Sequence, residues 1–237
     1  MKKKLCWFLL TIIFIFINIF LIQNINKTNI DDKDEFIYEY FRGIGATEEF
    51  LNKAPHEELK ILKTEMINSN KIYKFVDIDS INFMGNNSIK DINLNINIFT
   101  VRNQPGKKID EILIINFFEW LGSKPTFHGT DEITIKWDSN IFTMQGDSFS
   151  HHTYCTIPGT NKNLMIEEFY NPAKSYQGEL SFFVSTIGNN STGFTKFILV
   201  PNTEINNKLI SFNLNYIQKY IILNNSKMNF NANFIIY

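Results

Sequence analysis

Polarity along this chain falls into three regimes. From Leu5 to Ile22 the sequence LCWFLLTIIFIFINIFLI is apolar almost without interruption. As a helix it would rise roughly 27 Å, at about 1.5 Å per residue, which is close to the thickness of a bilayer's hydrocarbon core. From Asp34 to Asn68 apolar side chains recur at three- and four-residue steps: Phe36 and Tyr40, then Phe50, Leu51, Leu59, Leu62 and Met66. That spacing predicts two or three short helices, interrupted at Gly43 and Gly45. Thr47 ahead of Glu48 and Glu49 reads as an N-cap, and Pro55 suits the first turn of the next helix. Leu59, Leu62 and Met66 are expected to pack on the rest of the domain.

Beyond Lys71 the period drops to two. It is plainest in Asp91-Ile92-Asn93-Leu94-Asn95-Ile96-Asn97-Ile98, where polar and apolar residues alternate without a fault, the mark of a half-buried strand. Further strands are predicted at Ile72 to Ile78, Glu111 to Trp120, Glu132 to Trp137, Asn163 to Tyr170, Glu179 to Thr186, Phe194 to Val200, Leu209 to Tyr216, Tyr220 to Leu223 and Met228 to Tyr237. Asn-Asn pairs at 86–87, 189–190, 206–207 and 224–225 supply hairpin tips, since Asn tolerates left-handed backbone angles. The fold class is therefore mainly β, an antiparallel sandwich or barrel-like fold with two or three short N-terminal helices, preceded by one N-terminal transmembrane or signal helix. Residues 1–30 are expected to be a signal anchor or signal peptide, 31–70 a short helical segment packed on the β-rich domain, and 71–237 that β-rich extracytoplasmic domain. An outer-membrane barrel is disfavoured, because the last strand, counted back from Tyr237 by twos, puts Asn233 and Asn231 on one face.

Charge gives the apolar segment a direction. Lys2, Lys3 and Lys4 precede it, and every acidic residue lies beyond position 30, beginning with Asp31 and Asp32. A short cytoplasmic N-terminus and an exported C-terminal domain follow from the positive-inside rule. No small-residue cleavage pattern comes after Ile22, which favours an uncleaved, single-pass membrane anchor; the domain would be secreted if the segment were cut. The chain has 23 Lys and Arg against 24 Asp and Glu, and Arg42 and Arg102 are its only arginines. Without a basic cluster or an arginine supply, nucleic acid is excluded as a partner. The wealth of Asn, Ile and Lys suits an AT-rich genome, taken as Gram-positive, and it strips the Asn-x-Ser/Thr matches of meaning.

Candidate chemistry is sparse. The chain has 4 His and 2 Cys, and with Cys6 inside the apolar run Cys155 has no partner for an intramolecular disulfide. No His comes after His152, so a papain-like order with Cys155 as nucleophile lacks its base. Thr153-Tyr154-Cys155-Thr156, with histidines upstream, resembles the cysteine strand of the sortases, which are exported enzymes on an N-terminal anchor. The resemblance implies Cys155 as nucleophile with His128 or His151 as its base, and an exported hydrolase or transpeptidase. The sequence departs from the sortase pattern in having no Arg after Arg102 to hold the substrate's charge.

His151, His152 and Cys155 together suggest a zinc or copper site. On a strand, however, His151 and His152 would face opposite ways, and His151 and Cys155 would stand roughly 13 Å apart. Gly146-Asp147-Ser148-Phe149-Ser150 reads as a turn between strands rather than a nucleophile's loop, since His128, Asp131 or Asp138, and Ser148 would compress a triad into one short stretch. Of the carboxylates Glu119, Asp131, Glu132, Asp138, Glu167 and Glu168, no two have a spacing diagnostic of a glycosidase. No cofactor is expected.

With no catalytic set standing clear, the pattern points to a non-enzymatic binding module at a bacterial cell surface, joined to the membrane by its N-terminal helix. Its partner would be a protein, a peptide or an envelope polymer. The alternatives are the cysteine-dependent hydrolase or transpeptidase and a secreted β-type toxin.

Overall fold

The structure is a computed structural model that describes residues 35–76, 80–84, 92–120, 131–156, 163–184, 191–205, 208–218 and 226–236. The apolar run Leu5 to Ile22, His128, the strand predicted at Tyr220 to Leu223 and the four Asn-Asn pairs lie outside these residues. Among the described residues no helix is long and apolar enough to cross a membrane. Residues 1–43 and 44–237 form separate compact units. The described part of the first is a helix, α1 (35–43), in which Ile37 and Phe41 are buried and Arg42 pairs with Glu35 at 2.9 Å.

The second unit opens with two helices, α2 (Glu48–Lys53) and α3 (His56–Asn68). Thr47 caps α2 as its sequence predicts, its hydroxyl accepting from Phe50 N at 3.2 Å, and Glu48 and Glu49 complement the dipole in the first turn. Pro55 occupies the cap of α3, and its carbonyl accepts from Glu58 N and Leu59 N.

Thirteen strands follow among the described residues: β1 (Ile72–Val76), β2 (Ser80–Met84), β3 (Ile92–Arg102), β4 (Glu111–Trp120), β5 (Asp131–Lys136), β6 (Phe142–Met144), β7 (Ser150–Thr156), β8 (Asn163–Phe169), β9 (Lys174–Tyr176), β10 (Glu179–Val184), β11 (Ser191–Pro201), β12 (Lys208–Gln218) and β13 (Ser226–Ile236). They form two sheets, every pairing antiparallel. The first runs β1-β3-β4-β11-β7-β8, with β6 also on β11, and the second runs β2-β13-β12-β5-β10-β9.

The period-two pattern explains how the sheets meet. Leu94, Ile96 and Ile98 of β3, Ile112 and Ile114 of β4, and Phe197 and Leu199 of β11 share a core with Ile133 and Ile135 of β5, Leu180 and Phe182 of β10, and Phe212 and Tyr216 of β12. Alternation along each strand puts this set on the inner faces of a sandwich. Gly193 of β11 keeps the inner layer closed, because a Cβ there would sit 1.7 Å from the Phe118 ring.

The first sheet is also apolar on its outer face, and for that reason needs a second cover. Phe50 of α2 packs against Phe75, Phe99 and Phe117 with ring centroids 5.4–5.6 Å apart, and Phe117 continues to Phe194 at 5.5 Å. Leu59, Leu62 and Met66 of α3 are all buried. The result is a mainly antiparallel β-sandwich with a thin helical layer laid over one sheet, and α3 of that layer forms one side of a cleft.

The structure departs from the sequence pattern at β2, β6, β7 and β9, none of which the periodicity predicts. The stretch taken for a turn at 146–150 ends where β7 begins, at Ser150, so His151 and His152 are strand residues rather than loop residues.

Candidate functional site: a cleft between α3 and the first sheet

Strand alternation sends the side chains of β7 to two different places. Ser150, His152 and Tyr154 face the helical layer, while His151, Thr153 and Cys155 face the other way. On the helical side, Glu58 of α3 lies beside Leu59 and leaves only 1% of its surface exposed. A carboxylate so deeply buried requires donors. It has two on one oxygen: Oε1 takes a hydrogen bond from the Tyr154 hydroxyl and pairs with His152 Nδ1.

This pairing fixes the chemistry of both partners. Burial, and then the hydrogen bond to Glu58, push the Tyr154 hydroxyl well above the ordinary phenol range, so it stays protonated and donates. An ionised carboxylate can only accept, so the His152 ring meets Glu58 with an Nδ1–H and is held with Nε2 directed away from it. Nε2 lies 3.4 Å from Glu168 Oε1 of β8 but makes no hydrogen bond with it, and His152 is 6% exposed. Two positions earlier on the same face, the Ser150 hydroxyl is likewise buried without a hydrogen-bond partner.

Both residues belong to the lining of a cleft of about 440 Å³. Its apolar lining comes from Ile61, Leu62 and Met66 of α3 and from Leu113 and Ile198 of the sheet. Glu168, Asp147 and Gln145 add polar lining. Tyr170 lines the mouth and donates to Glu168, a hydrogen bond that raises the Tyr170 hydroxyl above its ordinary range. Lys196, the lining cation, is engaged by Glu65 of α3. Ser148 is also at the cleft, but its hydroxyl donates to Gln145 O at 2.7 Å and accepts from Ile198 N at 3.0 Å, so it serves the fold.

The residues singled out from sequence are distributed differently. His151 is enclosed in the sandwich, with Nδ1 2.7 Å from Thr195 Oγ1 and Nε2 3.0 Å from Thr153 Oγ1, and its ring stacks with Phe118 and Phe169. Burial, with the neighbouring His152 adding to it, lowers its pKa from 6.5 to about 3. Both its nitrogens are taken, and neither by Cys155. Cys155 is a free, half-buried thiol on the face of β7 opposite the cleft. His152 therefore joins neither His151 nor Cys155, and among the described residues no group of three or more His, Cys, Asp or Glu side chains is gathered closely enough to hold a metal ion. Asp131 lies in the second sheet, bonded by the Tyr216 hydroxyl, and Asp138 accepts from Asn140 N in a turn.

Lys196 and Tyr170 line the cleft, and Glu58 bonds His152, without having been marked by the sequence, and Ser150 was read there only as part of a turn. Glu58 had a readable signal, since Glu58, Leu62 and Met66 fall four apart and put a carboxylate on the apolar stripe of a helix.

No protein-family model matches the chain, and no curated protein matches it. Among solved structures, the chain is similar to the collagen-binding subdomain of the Enterococcus faecalis surface protein ACE, at 6% identity and a TM-score of 0.34 over 54% of this chain and 89% of that one. It is similar to the collagen-binding domain of a Staphylococcus aureus adhesin at 8% identity and a TM-score of 0.33, over 51% and 86%. A third likeness, to AvmM, which catalyses macrocyclization in alchivemycin A biosynthesis, has 8% identity and a TM-score of 0.26 over 66% and 96%. At such scores none of the three bears on what this chain does, and the architecture rests on its own strand pairings.

Proposed function

We propose that this chain is a non-enzymatic binding module displayed outside the cytoplasm on its N-terminal segment, and that the cleft between α3 and the first sheet is where it takes a protein, peptide or envelope-polymer segment. The observation that carries this reading is the pair of buried polar atoms, His152 Nε2 and Ser150 Oγ, that make no hydrogen bond although both residues line one cleft. Leaving such groups unsatisfied costs about 1–3 kcal/mol each, a cost that a bound ligand would offset. Binding is favoured over catalysis by the placement of the two nucleophile candidates: Cys155 is on the far face of β7, and the Ser148 hydroxyl is committed to backbone groups.

The test is retention of the full-length protein, in detergent, on isolated cell-wall sacculi and on an immobilised peptide library. Saturable binding that weakens in Glu168→Gln and Ser150→Ala, with the near-ultraviolet circular dichroism unchanged, is the expected result. Binding unaffected by both substitutions would remove the cleft from the proposal, and turnover of either material would overturn the non-enzymatic reading.

A further inference from the structure

The two sheets end in four strands, β1 and β8 in the first and β2 and β9 in the second. β8, with 7 residues, is the longest of them, against 5 in β1, 5 in β2 and 3 in β9. Among the described residues its only ladder partner is β7, so the backbone N–H and C=O groups of its other side face outward, ready to pair with an added strand. The opposite end of the same sheet is covered by the chain itself, since Phe75 N of β1 donates to Ile44 O at 2.9 Å.

The side chains of β8 set it apart as well. Its register with β7 puts Leu164, Glu167 and Phe169 beside Cys155, Thr153 and His151 on the sandwich face, and Met165 and Glu168 beside Tyr154 and His152 on the helical face. Leu164, Met165, Phe169 and Tyr170 each keep between 41% and 59% of their surface exposed. Apolar surface is thus gathered on both faces of one terminal strand, where proteins ordinarily place lysine or proline to discourage pairing, and β8 contains neither. A bulge at Ile166, between the Thr153–Glu167 and Tyr154–Met165 pairs, restricts a guest to a short segment without closing the edge.

The two glutamates decide what such a guest can be. They bring one negative charge to each face of the edge, and neither β7 nor β8 carries a Lys or Arg to offset them. A second copy of β8 would add two more carboxylates to these and is disfavoured by like charge. A segment with Lys or Arg at its centre and aliphatic residues on either side answers both the charge and the exposed apolar surface.

Resting on the binding-module reading, we infer that β8 is a docking edge for a short, extended peptide segment of a partner protein, basic at its centre and aliphatic at its flanks, which adds to the first sheet as a further strand. Backbone hydrogen bonds along β8 supply the hold, as in other cases of strand addition, and Glu167 and Glu168 with the surrounding apolar side chains supply the selectivity. Tyr170, which lines the mouth of the cleft, places the added strand next to that cleft.

The experiment uses the full-length chain in detergent micelles and follows amide hydrogen exchange in β8, α3 and β12 during titration with the peptide acetyl-Ile-Val-Lys-Lys-Ile-Val-amide, its counterpart with Glu-Glu at the centre, and two forms of the lysine peptide N-methylated at alternate residues. The expected result is saturable slowing of exchange in β8 with the lysine peptide and unchanged exchange in α3 and β12. The glutamate peptide should bind about tenfold more weakly, and so should the lysine peptide to Met165→Lys, a change at an exposed position that puts a cation on the edge. Of the two methylated peptides, the one that has lost its donors toward β8 should fail and the other should bind. Equal binding of the glutamate peptide overturns the basic partner, and full binding of both methylated forms overturns strand addition. Slow exchange in β8 without peptide, together with a dimer in sedimentation, overturns the inference in favour of a second copy of this chain. Binding that leaves exchange in β8 unchanged, or no binding of any peptide, overturns it too, and retention on sacculi, lost or kept in Ser150→Ala, then decides the binding-module reading separately.

Discussion

Glu58 and His152 stand 94 positions apart in sequence and share one buried hydrogen bond. That bond ties the helical layer to the outer face of the first sheet at the same point where it orients the imidazole toward the cleft. The helical layer and the lining of the cleft are therefore joined through a single carboxylate. Glu58→Ala is expected to cost about 3 kcal/mol, because it leaves two buried donors, His152 Nδ1 and the Tyr154 hydroxyl, facing no acceptor. Tyr154→Phe removes one donor together with its need and should cost only about 1 kcal/mol. Urea midpoints of the two variants measure the difference.

His151 predicts an acid sensitivity with a definite sign. Its folded-state pKa of about 3 lies below the unfolded value of 6.5, so between these limits the unfolded chain takes up a proton that the native state refuses. The stability that this neutral ring supports is whole above pH 6.5 and is lost as the pH falls toward 3, by about 1.4 kcal/mol per pH unit at most. In His151→Gln that share of the pH dependence should vanish. Comparing unfolding free energies of the two proteins at pH 7, 5 and 4 checks it, and parallel curves would refute it.

Gly193 has its place because Phe118 fills the space a side chain would need. Gly193→Ala drives a methyl into the ring and should destabilise the protein by about 3 kcal/mol or more. Pairing it with Phe118→Leu should cost clearly less than the two single changes added together, which a double-mutant cycle by chemical denaturation will show.

Phe50 joins the helical layer to three rings of the sheet, and Phe50→Ala should cost about 3–5 kcal/mol. Loss of that anchor loosens the cover over the cleft as well, so hydrogen exchange in α3 should accelerate more than exchange in β5 or β12.

Cys155 is half-buried and faces away from the cleft. A membrane-impermeant maleimide should therefore label it without prior unfolding, and Cys155→Ser should leave ligand binding unchanged. Loss of binding in that variant would place the thiol in the site after all.

The elements legible in the sequence are those with at least one apolar face. β3 is the clearest, its Asn-Ile alternation marking a strand that the structure extends to Arg102. β7 escaped because both its faces are polar: His151 and Thr153 satisfy each other and Thr195 inside the sandwich, while Ser150, His152 and Tyr154 answer to Glu58 and the cleft. A strand buried through side-chain hydrogen bonds has no hydrophobic period to read. The histidines did draw notice, but as possible partners of Cys155, the residue nearest in sequence. Their real partners, Glu58 and Thr195, are separated from them by 94 and 44 positions, and no local pattern announces a pairing at that distance.

The order in which these parts leave the ribosome sets the terms on which they assemble. α2 and α3 are made first, yet their apolar sides are covered only by strands that come much later, as the Glu65–Lys196 pair across 131 positions illustrates. Phe50 gains its ring partners Phe75, Phe99 and Phe117 once β4 is out, while the Glu65–Lys196 pair must wait for β11, and closures of that length slow folding. For much of its synthesis the nascent chain thus displays the apolar sides of two helices, a natural handle for chaperones that hold unfinished polypeptides until the covering strands arrive.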